Sequence, residues 1–238
     1  MRTFRMAVGV AVLAAACSSQ KPAAKLDDSG LSRLNESQME PVDEARVEEG
    51  RARDDLARSR ANEADARARL EVARSDRAVA DAELKRALAE RDLLKKQYAS
   101  KEQLGEVEQE IAAAQDRIKA SDLKLQYLQE MIAVAESERK AAEAHVATTQ
   151  ALTEQTKYRA MKAGNAPQAG SMSAADVDQR AASAQAQESS LLQDVARRRT
   201  AATELYNRWQ QADARARTLA RPAPMPVPPP NSGESTSH

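Results

Sequence analysis

The sequence predicts an all-α fold of long antiparallel coiled-coil helices: a helical hairpin plus a third helix, between an N-terminal tether and a Pro-rich C-terminal tail. Three observations carry this. Alanine supplies 50 of 238 residues while aromatic residues make up 3 % and charged residues 30 %, a balance that suits helix seams better than a globular core built on large side chains. Apolar and small residues recur at 3-4 spacing in three separate stretches. No proline interrupts the chain from Val42 to Ala166, and Pro is the strongest helix breaker.

Residues 1–16 read as a signal peptide. Arg2 and Arg5 precede an uncharged run from Met6 to Ala16, which is too short for a bilayer span of ~20 residues. Residues 17–40 are rich in Ser, Lys, Asp and Asn and are expected to form a flexible tether.

Helix 1 is expected over 41–99, with Pro41 in its first turn and acidic residues near its positive end. One seam runs Ala45, Ala52, Ser59, Ala66, Ala73, Ala80, Ala87, Leu94. Its neighbour alternates apolar and charged residues: Leu56, Glu63, Leu70, Arg77, Leu84, Arg91, Tyr98. Helix 2, over 100–163, carries Leu104, Val107, Ile111, Ala114, Ile118, Ser121, Leu125, Leu128, Ile132 and Ala135, continued by Arg139, Ala142 and Val146. The phase slips at Tyr98-Ala99-Ser100, and Ser100 followed by Gln103 has the form of a capping box. A hairpin turning there is favoured; the alternative is one helix of roughly 180 Å at 1.5 Å per residue.

Residues 164–173 gather Gly, Asn and Pro and form the next loop. Ser173, with Asp176 three residues on, is placed to cap helix 3 over 174–221. Its seam runs Val177, Ala181, Ala184, Glu188, Leu191, Val195, Arg198, Ala202, Leu205, Trp209, Ala212, Ala216, Leu219. The tail 222–238 has Pro at 222, 224, 226, 228, 229 and 230 and is expected to be extended and disordered.

The apolar run ends Leu13-Ala14-Ala15-Ala16-Cys17. This resembles the lipobox of bacterial lipoproteins, with the Leu one residue further from the Cys than is usual. The resemblance implies a lipid on Cys17, cleavage before it and a membrane partner, with palmitate or a similar acyl chain as the anchor. Several acyl chains hold a protein firmly where one does not. The residue after the Cys is Ser18, not Asp, which in that family points to the outer membrane, facing the periplasm.

Leu93, Lys96, Ser100 and Leu104 lie around the phase slip at spacings similar to the hairpin tip of periplasmic adaptor proteins, which join inner-membrane pumps to outer-membrane channels. Gln97 and Gly105 depart from that pattern. The likeness implies a docking tip formed by Tyr98, Ser100 and Leu104. The signal, lipid site and seams are also similar to the small lipidated coiled coils that brace the outer membrane to peptidoglycan. Their C-terminal Lys linkage has no counterpart in Ser235-Thr236-Ser237-His238.

The chain shows no nucleotide-binding glycine loop, no HExxH and no Ser-His-Asp set, so no enzyme activity and no cofactor are expected. One Cys permits neither an internal disulfide nor a thiolate zinc cluster. The equal 36 basic and 36 acidic residues give no nucleic-acid footprint. His145 is read as a solvated surface residue. Glu48-Glu49 and Asp54-Asp55 are read as a solvated face making i,i+4 pairs. Trp209 is read as seam packing and Arg197-Arg198-Arg199 as a charged helix face. The expected function is a structural or scaffolding lipoprotein of the cell envelope, a periplasmic spacer or interaction platform. Its partners would be envelope proteins, peptidoglycan nearby, or further copies of itself. An adaptor role through the hairpin tip is the alternative.

Overall fold

A computed structural model of the chain describes residue 26 and residues 28–219. Among these residues there are three long helices and no strand: α1 (Glu36–Lys96), α2 (Lys101–Ala163) and α3 (Ala174–Leu219). Two short 3₁₀ helices accompany them, η1 (Asp28–Arg33) before α1 and η2 (Pro167–Ser171) between α2 and α3. The all-α hairpin with a third helix is therefore the fold. At 61 and 63 residues, α1 and α2 each extend ~90–95 Å at 1.5 Å per residue.

α2 is the central helix. Both α1 and α3 pack along it, while α1 and α3 barely touch each other. Cross-helix pairs fix both registers. Lys124 reaches Asp76 (2.9 Å) and Arg117 reaches Glu83 (2.6 Å) on the α1 side. On the α3 side, Arg199 meets Glu138 (2.6 Å) and His145 meets Glu188 (2.9 Å). Extrapolated along the helices, the second register ends α3 well short of the hairpin turn, leaving ~20 Å of tip that among the described residues is formed by α1 and α2.

Flanked on two sides, α2 buries adjacent residues: Ala113 with Ala114, Val134 with Ala135, and Thr148 with Thr149. One seam per helix cannot produce that pattern, because neighbouring side chains point about 100° apart. The seam expected on α2 faces α1, where Leu128 packs with Leu70 and Ala73, and Val107 and Ile111 pack with Ala87. A further seam, including Tyr127, Met131, Val134 and His145, faces α3. On α1 both seams turn toward α2: Ala52, Ala73, Ala80 and Ala87 of the small-residue seam are buried, and so are Glu63 and Leu70 of its neighbour.

The best-packed core lies at the end opposite the turn, called here the base. Leu26, Leu31, Val42, Tyr158, Met161, Ala166 and Val177 form one cluster, with Leu34 and Met39 against it. Met161 and Val42 are fully buried. This corrects the expected tether over 17–40 and the expected helix start at 41. Leu26, Leu31, Leu34 and Met39 supply enough apolar surface to dock residues 28–40 onto the ends of α2 and α3. Asn35 caps α1 in a reciprocal box: its side chain accepts from Gln38 N (3.0 Å), and Gln38 Oε1 accepts from Asn35 N (3.1 Å). Pro41 is thus inside α1, where it leaves the carbonyl of Ser37 without its usual intrahelical donor.

Around the base, Gly164 has no Cβ because one would strike the Leu34 side chain. Lys157 bridges Asp28 (2.8 Å) and Glu154 (3.1 Å). Burial works against its charged form, but the two carboxylates outweigh it and hold its pKa above the usual lysine value.

Candidate docking tip and other candidate residues

The turn between α1 and α2 is a local consequence of its sequence. α1 ends with Gln97 N donating to Leu93 O and Ala99 N to Leu94 O, both at 3.1 Å. Tyr98 between them is left-handed, with φ 54°. This is the Schellman arrangement. The end of α2 repeats it, with Ala166 N donating to Met161 O (2.8 Å) and Asn165 left-handed. Asn tolerates that conformation, whereas a tyrosine adopts it at a cost.

Ser100 starts α2. Its Oγ accepts from Gln103 N (3.3 Å), and Gln103 Oε1 accepts from Ser100 N (3.1 Å). The capping box read from the sequence is present with both halves. It decides the phase slip in favour of the hairpin. Beside it, the backbone N–H of Glu102 and then the Ser100 hydroxyl hold the Glu102 carboxyl below the usual glutamate range.

The three residues expected to form the tip are brought together with different roles. Tyr98 stands on the apex, 95 % exposed. The Ser100 hydroxyl is committed to the cap. Leu104 is half-buried. Leu93, from the same motif, is 54 % exposed, so the apolar surface offered at the tip is Tyr98 with Leu93. Lys95, Lys96 and Lys101 surround them, exposed and without an ion pair among the described residues. Such an apex can bind an apolar or anionic surface; it carries no acid–base or nucleophilic set.

Cys17 lies outside the described residues, as do the signal peptide and the tail. The described chain begins at Leu26, whose N–H donates to Glu154 Oε2 (3.1 Å) in the base. Nine positions separate it from Cys17.

His145 departs from its expected solvated position. Its Nδ1 lies 2.9 Å from Glu188 Oε1 between α2 and α3, half-buried. It sits on the α3-facing seam of α2, which the stronger Leu and Ile run of the α1-facing seam masks in the sequence. Tyr127, Met131, Val134, His145 and Thr148 at 3-4 spacing are the signal for it. Trp209 packs as expected of a seam residue. It stacks on Tyr127 (centroids 5.8 Å) and meets Tyr206 edge-on (5.5 Å).

Arg197 and Arg198 pair with Asp194 on their own helix, and Arg199 crosses to Glu138. Glu48 and Asp55 pair with Arg51 and Arg58 three residues on and are exposed, as expected of a solvated face, whereas Glu49, paired with Arg53 four residues on, is largely covered. Among the described residues no group of His, Cys, Asp and Glu converges to hold a metal ion. No described helix is long and apolar enough to cross a membrane. No protein-family model matches the chain, and neither does any curated protein sequence or solved structure.

Proposed function

We propose that this protein is a lipid-anchored coiled-coil lipoprotein of the bacterial cell envelope with a structural or scaffolding role. In this reading Cys17 carries the lipid, the outer membrane holds it facing the periplasm, and the rod is a spacer or interaction platform without catalysis or cofactor. The observation that carries it is the polarity of the rod. Leu26, nine positions beyond Cys17, is packed into the base, so an anchor at Cys17 would hold the base near the lipid. The turn, one helix length or ~90 Å away, would then project outward. Mass spectrometry of the mature protein tests the anchor. An acylated Cys17 at the new N-terminus is expected, and an unmodified chain would remove the anchoring claim.

One observation favours a second reading, an adaptor that docks through its tip. Tyr98 is a fully exposed aromatic residue in a backbone conformation where Gly or Asn costs less. A photocrosslinker at position 98 separates the two readings. Adducts with an outer-membrane channel favour the adaptor. Adducts with peptidoglycan-bound proteins alone favour the spacer.

A further inference from the structure

α1 carries a second, exposed heptad stripe, one edge of which, at Val79, borders a groove shared with Arg117 of α2 and Trp209 and Arg217 of α3. It lies two residues on from the α2-facing seam and so about 200° around the helix. Ala68, Val72, Ser75, Val79 and Ala82 run along its centre at 3-4 spacing, and all are exposed. Val72 and Val79 are 62 % and 60 % exposed, although adjacent turns of α1 bury alanines. Between Ala61 and Ala89 only two stripe positions are charged, Asp65 and Arg86. They have opposite signs and lie almost symmetrically about Ser75.

We infer that this stripe is the contact surface for a second copy of the chain, with the two α1 helices antiparallel about a two-fold axis at Ser75. In that register Val72 meets Val79 of the second copy, Ala68 meets Ala82, and Asp65 meets Arg86. On the flank, Arg69 approaches Glu83, whose carboxylate is shared with Arg117 of its own chain at 2.6 Å. Arg86 makes no ion pair within its own chain among the described residues, so the second copy provides its counter-charge. Asp65 already pairs with Arg69 (2.7 Å) and can share its carboxylate. Asp76, close to the axis, is neutralised by Lys124 at 2.9 Å.

A parallel pair in register would instead stack Asp65 on Asp65 and Arg86 on Arg86, and like charges at seam positions oppose association. The seam from 61 to 89 is ~43 Å long and one helix wide. It buries on the order of 1,000 Å² in total, the low end for specific interfaces, so the dimer is weak and concentration-dependent. The two bases then lie roughly 120 Å apart at opposite ends. The inference rests on α1 alone and does not depend on the lipid.

The test is sedimentation equilibrium of residues 18–238, which hold every contact described above and contain no cysteine. A monomer–dimer equilibrium in the micromolar range, about 1–100 µM, is expected. Val72→Glu with Val79→Glu should weaken it by more than about tenfold with helical circular dichroism unchanged. Asp65→Arg alone and Arg86→Asp alone should each weaken it, and the two together should restore it, because the pair is swapped across the axis. Ser75→Cys should form a disulfide dimer on oxidation. A monomer at about 200 µM overturns the inference. So does a dimer indifferent to the valine changes, or a double charge swap that fails to recover.

Discussion

Arg139 Nε lies 2.7 Å from Glu63 Oε2 across the interface of α1 and α2, with Glu63 almost fully buried and also paired with Arg67 on its own helix. Both residues occupy seam positions. Arg77 repeats the device, reaching Asp122 (3.0 Å) on α2. Alanine seams slide easily, because one small side chain packs much like the next. A buried charge with a single partner on the opposite helix removes that freedom at the expense of desolvation. Glu63→Leu alone should lower the melting temperature modestly, because Arg139 loses its cross-helix partner and keeps Glu143 (2.7 Å) on its own helix. Glu63→Leu with Arg139→Leu should match or exceed the wild type. Spin-label distances across the hairpin should broaden in the double variant if the pair sets the register.

The turn offers a separate test. Tyr98→Gly removes the steric cost of a left-handed tyrosine and should stabilise the hairpin by about 1 kcal/mol. Ser100→Ala removes one half of the cap and should cost ~1 kcal/mol. Chemical denaturation measures both. With the photocrosslinker moved to position 101, the tyrosine change should also abolish any tip crosslink, which separates a docking role from a folding one.

At the base, Met161→Ala should cost ~2–5 kcal/mol, because the cavity would open where five elements meet. Gly164→Ala should cost less, since the flexible end of Leu34 can move aside. Hydrogen exchange in the Met161 variant should rise first in η1 and the opening turns of α1.

The pH dependence follows from carboxylates whose folded pKa is depressed. Asp194 is held low by Arg198 and then by the Ser137 hydroxyl; Asp81 is held low by Lys85 and then by Arg77. A lowered carboxylate pKa stabilises the fold above the unfolded value, near 4, and this contribution is lost as pH falls through the folded value. The melting temperature should therefore hold from about pH 5 to 8 and fall below about pH 4. Lys157 has the opposite sign. Its contribution is present below its ordinary value of 10.5 and is lost as pH rises through the raised one. Thermal melts by circular dichroism across both limits read these effects.

The seams facing α2 on α1 and α3 were legible because each of those helices buries mainly one face there, and 3-4 spacing is a one-face signal. The capping box at Ser100 was legible because it is local. α2 was only half legible: two partners bury two faces, and the stronger run of Leu and Ile masked the Tyr127–Thr148 run. That is why His145 read as solvated. The segment before Pro41 was misread because Leu26, Leu31 and Leu34 do not form a helical stripe. They pack on Met161 and Ala166 from more than a hundred residues away, and no local pattern reports such a contact. The exposure of Tyr98 followed only from the resemblance to adaptor tips, since its heptad position assigns it to the seam and the turn swings it out.

The early end of α3 gives the rod a graded cross-section. Over most of its length three helices share a bending load, and beyond Leu219 only two of the described helices do. A slender beam flexes where its section narrows, so thermal bending should concentrate in the last ~20 Å before Tyr98. The shaft would then act as a strut and its end as a compliant fingertip, able to search a small solid angle while its root stays still.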